Sequence, residues 1–359
     1  MSHQYQRVII KIGSNVLTQK NGLPDGARIS HLVDQIAAIK KQGREVILVS
    51  SGAVASGRSL ITIDEKVNAV ATRQLLASIG QVKLINTYSH LFEKYELLCS
   101  QVLVTKEDFR DRMHYLNMKN CLEILLQHGV IPVVNENDVV SVTELMFTDN
   151  DELAGLIASM LNAQALIILS NVDGIYDGDP KTPGTRVIER IEGSAASLAS
   201  FITSGKSQFG RGGMLTKSHM AQKVAQLGIS VHIANGTRDG ILTDVLDGKA
   251  THTHFVPNKN TSGKKKWIAH SENFAKGVVK INDGAREVLT SQKATSLLPV
   301  GVIKIEADFQ KGDIIRLIDE QGRQVGLGIA EYGADKARER IGQKKQRPLV
   351  HYDYLYLNA

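Results

Sequence analysis

Cysteine is scarce in this 359-residue chain: Cys99 and Cys121 are the only two. Two thiols in this length exclude a disulfide framework and set the expectation of a reducing compartment, the cytoplasm, with both thiols buried and unpaired. Long apolar runs are absent as well. None approaches the roughly 18 residues a membrane span requires, so no membrane association is expected. Met1 to Tyr5 lack a charged start leading into an apolar stretch, so no secretory leader is expected. Net charge is +6. What charge there is sits unevenly. Residues 264–359 hold 17 Lys+Arg and 12 Asp+Glu, a net of +5, while the rest is almost balanced. A shift of this kind accompanies a domain boundary.

Present instead is an ordinary globular composition, 42% hydrophobic, at a length that suggests two domains. Through the first 250 residues, short apolar runs alternate with helical patterns. Val8–Ile10, Val46–Val49, Val102–Val104, Ile131–Val134, Leu166–Leu169 and Ser230–Ile233 read as strands. Ile29, Leu32, Val33, Ile36 and Ile39 share one helical face, and helices are expected over Leu75–Tyr95, Leu116–Gln127 and Met214–Leu227. The alternation predicts an α/β fold: an open, mainly parallel sheet sandwiched by helices. Residues 1–255 form this domain and 256–275 a basic linker. From 276 to 359, β-like runs about ten residues apart predict a small C-terminal β-barrel.

Two loops stand out because each follows a buried strand, where open α/β sheets bind ligands. One is Val49 to Gly57, with Ser51 and Gly52. The other joins Asn135-Glu136-Asn137-Asp138 to Thr148-Asp149-Asn150-Asp151. Capping of the following helix accounts for one residue of Asp149-Asn150-Asp151, not for three. Lys11-Ile12-Gly13 places a lysine and a permissive glycine at the end of the first strand. Gly210-Arg211-Gly212-Gly213-Met214-Leu215-Thr216-Lys217 opens a helix with glycines and puts Lys217 where a cation opposes the helix dipole. A bound polyphosphate would resolve that conflict. No Gly-x-x-x-x-Gly-Lys-Ser/Thr pattern is present, so this is not a Walker loop. Two lysines, an acid to position them and two amide-rich loops suit phosphoryl transfer, with a metal carried on the nucleotide phosphates. A carboxylate acceptor would need no general base, being ionised at neutral pH.

Val8-Ile-Ile-Lys11-Ile-Gly-Ser, Val49-Ser-Ser51-Gly-Ala, Pro132-Val-Val-Asn135-Glu-Asn-Asp138, Asp149-Asn-Asp-Glu-Leu and Gly212-Gly-Met-Leu-Thr-Lys217 resemble the amino acid kinase family. Within it they are similar to the members that phosphorylate the γ-carboxylate of L-glutamate with ATP, giving L-glutamyl 5-phosphate, the first step of proline biosynthesis. The C-terminal segment resembles a PUA domain, elsewhere often an RNA binder. The resemblance implies that Lys11 and Lys217 contact the transferring phosphoryl group and that Asp151 holds both. It implies that Ser51, Gly52, Asp138, Asp149 and Asn150 bind glutamate. ATP, with Mg2+, would meet Lys11, Gly13, Ser170, Asn171 and Arg211, Gly212, Gly213, Met214, Leu215, Thr216 and Lys217. Asn171 departs from the family pattern, which more often has Asp there. The resemblance further implies inhibition by proline, a homo-oligomer and glutamyl phosphate reductase as a partner. Two alternatives stand beside it. Another family member would act on N-acetylglutamate, carbamate or uridylate, against which the Asn-Glu-Asn-Asp loop argues. An RNA-binding protein with a degenerate kinase domain would not be expected to keep Lys11, Asp151 and Lys217.

Overall fold

A computed structural model describes residues 5–63, 68–141, 147, 149–180, 182–192, 213–258, 265, 268–269, 275–291 and 295–357. The chain forms two compact units, Met1–Asn260 and Thr261–Ala359.

In chain order the first unit contains β1 (Arg7–Ile12), α1 (Ser14–Leu17), α2 (Gly26–Lys41), β2 (Glu45–Ser50), α3 (Ala53–Arg58) and α4 (Ala69–Glu93). Next come β3 (Cys99–Val104), α5 (Glu107–Arg110), α6 (Arg112–Gln127), β4 (Ile131–Glu136), α7 (Asn150–Met160) and β5 (Ala165–Ser170). They are followed by β6 (Arg190–Ile191), α8 (Gly213–Gln226), β7 (Ser230–Asn235), α9 (Ile241–Leu246) and β8 (Thr253–Phe255). The eight strands lie in the order β3-β4-β2-β1-β5-β7-β8-β6. Neighbours run parallel except β7 and β8, so the sheet is mixed rather than wholly parallel.

Period-two alternation sorts the central strands. Val8, Ile10 and Ile12, with Val46, Leu48, Ile167 and Leu169, pack with α2, α4 and α9 in one apolar core. The alternate residues, Ile9 and Lys11 among them, face the other way, toward α7. That helix carries the chain from β4 across β2 and β1 to β5, and touches all four. Strand order reverses about β1, so the C-terminal ends of β1 and β5 flank a topological switch point.

Helix α4 starts several residues before its apolar stripe, because Asn68 caps it by accepting from the Ala71 N–H at 2.8 Å. The cysteines depart from expectation. Both are free, but Cys99 is half-buried and Cys121 is exposed. On α6 the buried stripe is Tyr115, Leu122 and Leu126, and Cys121 lies a quarter-turn off it.

The second unit contains β9 (Gly277–Ile281), α10 (Asp283–Thr290), β10 (Val302–Ala307), β11 (Ile314–Ile318), β12 (Gln324–Ile329), α11 (Ala334–Arg340) and β13 (Leu355–Leu357). Its five strands order as β10-β9-β11-β12-β13, with β9–β11 parallel and the other pairs antiparallel. Val279, Ile281, Ile315, Leu317, Leu349 and Val350 are in its separate core. The two helices are additions to a segment whose sequence reads as strands alone.

Candidate active site

At the switch point the chain buries two lysines around one acid. Lys11 leaves β1 on the α7 side, and its Nζ lies 2.6 Å from Asp151 Oδ1. Lys217, one turn into α8, donates to Asp151 Oδ2. Asp151 is 1% exposed, and both lysines are buried. Burial works against the Asp151 charge, but Lys11 and then Lys217 outweigh it and hold the carboxyl below its usual range. Burial pushes Lys11 below the usual ammonium range. Asp151 opposes that, and the like charge of Lys217 adds to it.

Helices α7 and α8 hold this geometry through a glycine. A methyl group on Gly155 would lie 2.6 Å from Met220 Sδ and 2.9 Å from Val224 Cγ2. The close approach lets Lys217, three residues before Met220, reach Asp151. Gly13 serves the other lysine: a side chain there would crowd Lys11 Nζ at 3.3 Å and the Leu169 carbonyl at 3.4 Å.

The three polar residues that open α7 divide their labour. Asp149 is the N-cap, its Oδ1 accepting from the N–H groups of Asp151 (3.0 Å) and Glu152 (3.1 Å). Burial and the nearby Asp151 charge raise its pKa. Asp151 binds the lysines. Asn150 turns the other way, its Nδ2 donating to Ser51 Oγ at 2.8 Å and to Asn135 Oδ1 at 3.2 Å. Ser51 precedes Gly52, which caps α3 at φ +110°, a left-handed conformation suited to glycine. Asp138 Oδ1 is held by Arg73 through Nη2 at 2.6 Å and Nε at 2.9 Å. Glu136 accepts from the Phe147 N–H at 2.9 Å, and burial raises its pKa. Ser51, Asn135 and the lysine pair thus meet at the first turn of one helix.

At the neighbouring strand ends, the Ser170 carbonyl accepts from Gly236 N–H at 2.8 Å. Asn171 is exposed. Asp173 binds Asn235 Nδ2 at 2.9 Å and Arg238 Nη2 at 2.6 Å. Met214 and Thr216 are half-buried and Leu215 exposed. Arg211, Gly212 and Thr148 lie outside the described residues, as do the side-chain surroundings of Gly213.

Arg73 and Gln81, both on α4, are the contributors that motif reading misses. Gln81 does leave a trace. The buried stripe of α4 is Ala77, Leu84, Tyr88 and Phe92, and Gln81 is a polar residue inside it. Asp173 and Arg238 leave no comparable trace.

Comparison with known proteins matches this arrangement to a family. The model of the amino acid kinase family matches residues 6–235. The chain belongs to the amino acid kinase family. The PUA domain model matches residues 277–352 of this family member. The glutamate 5-kinase of Bacteroides thetaiotaomicron is 54% identical over 99% of this chain and 100% of its own. That of Chlorobaculum tepidum is 52% identical over 99% of both. Among solved structures, carbamate kinase from Giardia lamblia bound to AMP-PNP is similar in fold. Its TM-score is 0.52 at 20% identity, covering 72% of this kinase and 100% of that chain.

Proposed function

We propose that this kinase is a glutamate 5-kinase, transferring the γ-phosphoryl group of ATP to the γ-carboxylate of L-glutamate in the first step of proline biosynthesis. The observation that carries the reading is the buried Lys11–Asp151–Lys217 cluster beside the Ser51–Asn150 pair. Its support in sequence is the pair of glutamate 5-kinases more than half identical along the whole chain.

A γ-carboxylate oxygen of glutamate bonds to the γ-phosphorus while the bond from that phosphorus to the β-bridging oxygen breaks. ADP and L-glutamyl 5-phosphate leave. The carboxylate is already ionised, so no proton moves and no base is required. Lys11 and Lys217 stabilise charge on the transferring group and the leaving oxygen, and Asp151 keeps the two ammonium groups together. Ser51, Gly52, Asp138 and Asn150 receive glutamate, and Asp149 holds the first turn of α7 beneath it. Gly13, Ser170, Asn171 and the stretch Arg211–Thr216 receive ATP. Mg2+, carried on the nucleotide phosphates, would neutralise part of their charge.

Proline carries the same α-carboxylate and neighbouring nitrogen as glutamate and inhibits by competing for the same loops. The enzyme works in the cytoplasm as a homo-oligomer and hands its labile product to glutamyl phosphate reductase. The C-terminal unit, its five strands closing as a small barrel, adjusts regulation rather than catalysis. Its net positive charge supports RNA contact that salt would weaken.

The test is ADP release with hydroxylamine trapping across a panel of acceptors. γ-Glutamyl hydroxamate should form with glutamate and ATP together and with neither alone. ADP release with N-acetylglutamate, carbamate or UMP but not with glutamate would overturn the reading.

A further inference from the structure

Helix α4 reaches the acceptor side of the site through one buried side chain. Gln81 is 8% exposed. Its Oε1 accepts from Asn135 Nδ2 at 3.0 Å. Asn135 Oδ1 is engaged on its other edge by the Glu136 N–H at 2.9 Å and by Asn150 Nδ2 at 3.2 Å. Asn150 then holds Ser51 Oγ at 2.8 Å. The directions are forced. Two donors on the oxygen of Asn135 leave only its NH2 for Gln81, so Gln81 must present its oxygen. Its own Nε2 is then buried without a hydrogen-bond partner among the described residues. A buried donor left unpaired is costly, and an apolar residue would fit this stripe without that cost.

The backbone beside it is equally fixed. A methyl group on Gly80 would lie 1.9 Å from the Ala53 carbonyl and 2.4 Å from the Gly57 nitrogen. α4 therefore rests directly on the backbone of α3, the helix that follows Ser51 and Gly52. Gln81 is anchored to the loop on one side by this seam and on the other by Asn135.

We infer that Gln81 is a positioning residue for the acceptor, setting the Asn135 amide so that Asn150 and Ser51 are held ready for the substrate. It acts through Asn135 and touches no reacting atom. The inference rests on the assignment of the Ser51–Asn150 pair to the acceptor.

The test uses the full chain with Gln81→Met, which keeps length and bulk but removes the amide, with Asn135→Ala, and with the double variant. For Gln81→Met the KM for glutamate should rise about tenfold or more while the KM for ATP stays within about twofold. Because Gln81 acts through Asn135, the double variant should match Asn135→Ala alone rather than multiply the two losses. A residue serving only packing would move both KM values or neither, and would add to Asn135→Ala. Either result overturns the inference. Should Gln81→Met fail to fold, Gln81→Asn, which withdraws the amide by one methylene, is read by the same criteria. The native chain is the control. If it phosphorylates a different acceptor, the proposed function falls, and the same cycle run with that acceptor still decides the role of Gln81.

Discussion

At the scale of single residues, the two lysines are not equivalent. Lys11 is fixed in a central strand, whereas Lys217 arrives on a helix and owes its position to packing. Lys217→Ala should lower kcat about 10²-fold or more, the scale of losing one preorganised donor, with the circular dichroism spectrum unchanged. Near-normal kcat in a folded variant would remove Lys217 from the chemistry. Asp138→Ala and Asn150→Ala should act on the other substrate. Each should raise the KM for glutamate at least about tenfold with little change in that for ATP, because Asn150 joins Ser51 and Asp138 ends the Asn135–Asp138 loop, the two loops proposed to receive glutamate. Equal damage to both constants would relocate the glutamate site. The sequence made Lys11, Asp151 and Lys217 legible because each sits in a short motif whose local chemistry is odd. Capping, for example, cannot use all of Asp149-Asn150-Asp151. It did not make Arg73 or Gln81 legible as site residues, since each meets its partner across more than fifty positions of sequence. Asp138 was legible as an acid in a polar loop, but its pairing with Arg73 was not.

At the scale of elements, two glycine seams hold the two sides of the site. The α3–α4 seam is backbone on backbone: besides the Gly80 contacts, a methyl on Gly57 would lie 2.1 Å from the Leu76 carbonyl. No side chain can swing away to relieve it. Gly80→Ala should therefore destabilise the first unit by about 3 kcal/mol or more, the upper end of overpacking costs, and raise the KM for glutamate. Urea unfolding measures the first effect and initial rates the second. A loss below about 1 kcal/mol would mean that the seam can slide. The α7–α8 seam meets flexible Met220, so Gly155→Ala should cost less stability but lower kcat by moving Lys217. Periodicity made most of these elements legible. Ile29, Leu32, Val33, Ile36 and Ile39 are all buried on α2, and the central strands carry runs of apolar residues such as Val8–Ile10 and Val46–Val49. What periodicity could not supply was pairing direction, as at β7 and β8, or short helices such as α10 and α11. Those depend on where the chain turns in space rather than on any local repeat.

At the scale of the whole molecule, each unit has its own apolar core, and every residue assigned to catalysis lies in the first. A chain ending at Asn260 should stay soluble and phosphorylate glutamate, with changes confined to proline sensitivity or assembly. A soluble, monodisperse but inactive product would refute that division. The first unit should also lose stability in mild acid. Tyr5 Oη lies 3.3 Å from His232 Nε2, His232 Nδ1 lies 2.9 Å from His252 Nε2, and His252 Nδ1 lies 2.8 Å from the Ala250 carbonyl. The Ala250 carbonyl can only accept, so His252 donates to it through Nδ1. Burial, then His254 and His252, push the pKa of His232 well below its ordinary value. An unfolded histidine takes its proton near pH 6.5, while folded His232 resists until much lower. Between those points acid favours the unfolded chain, by up to about 1.4 kcal/mol per pH unit. Melting temperatures from pH 7 to 5 should fall, and His232→Gln should flatten the slope. An equal slope in the variant would place the sensitivity elsewhere. The lysine cluster carries a further consequence for the empty molecule. Among the described residues Asp151 alone touches both ammonium groups, with Asp149 adding its charge from farther off, so two buried lysines stand side by side and repel each other. That repulsion is a standing liability that an incoming anion relieves. The nucleotide should therefore act as a structural ligand as well as a reactant, with the melting temperature climbing as ATP, or even plain pyrophosphate, fills the site.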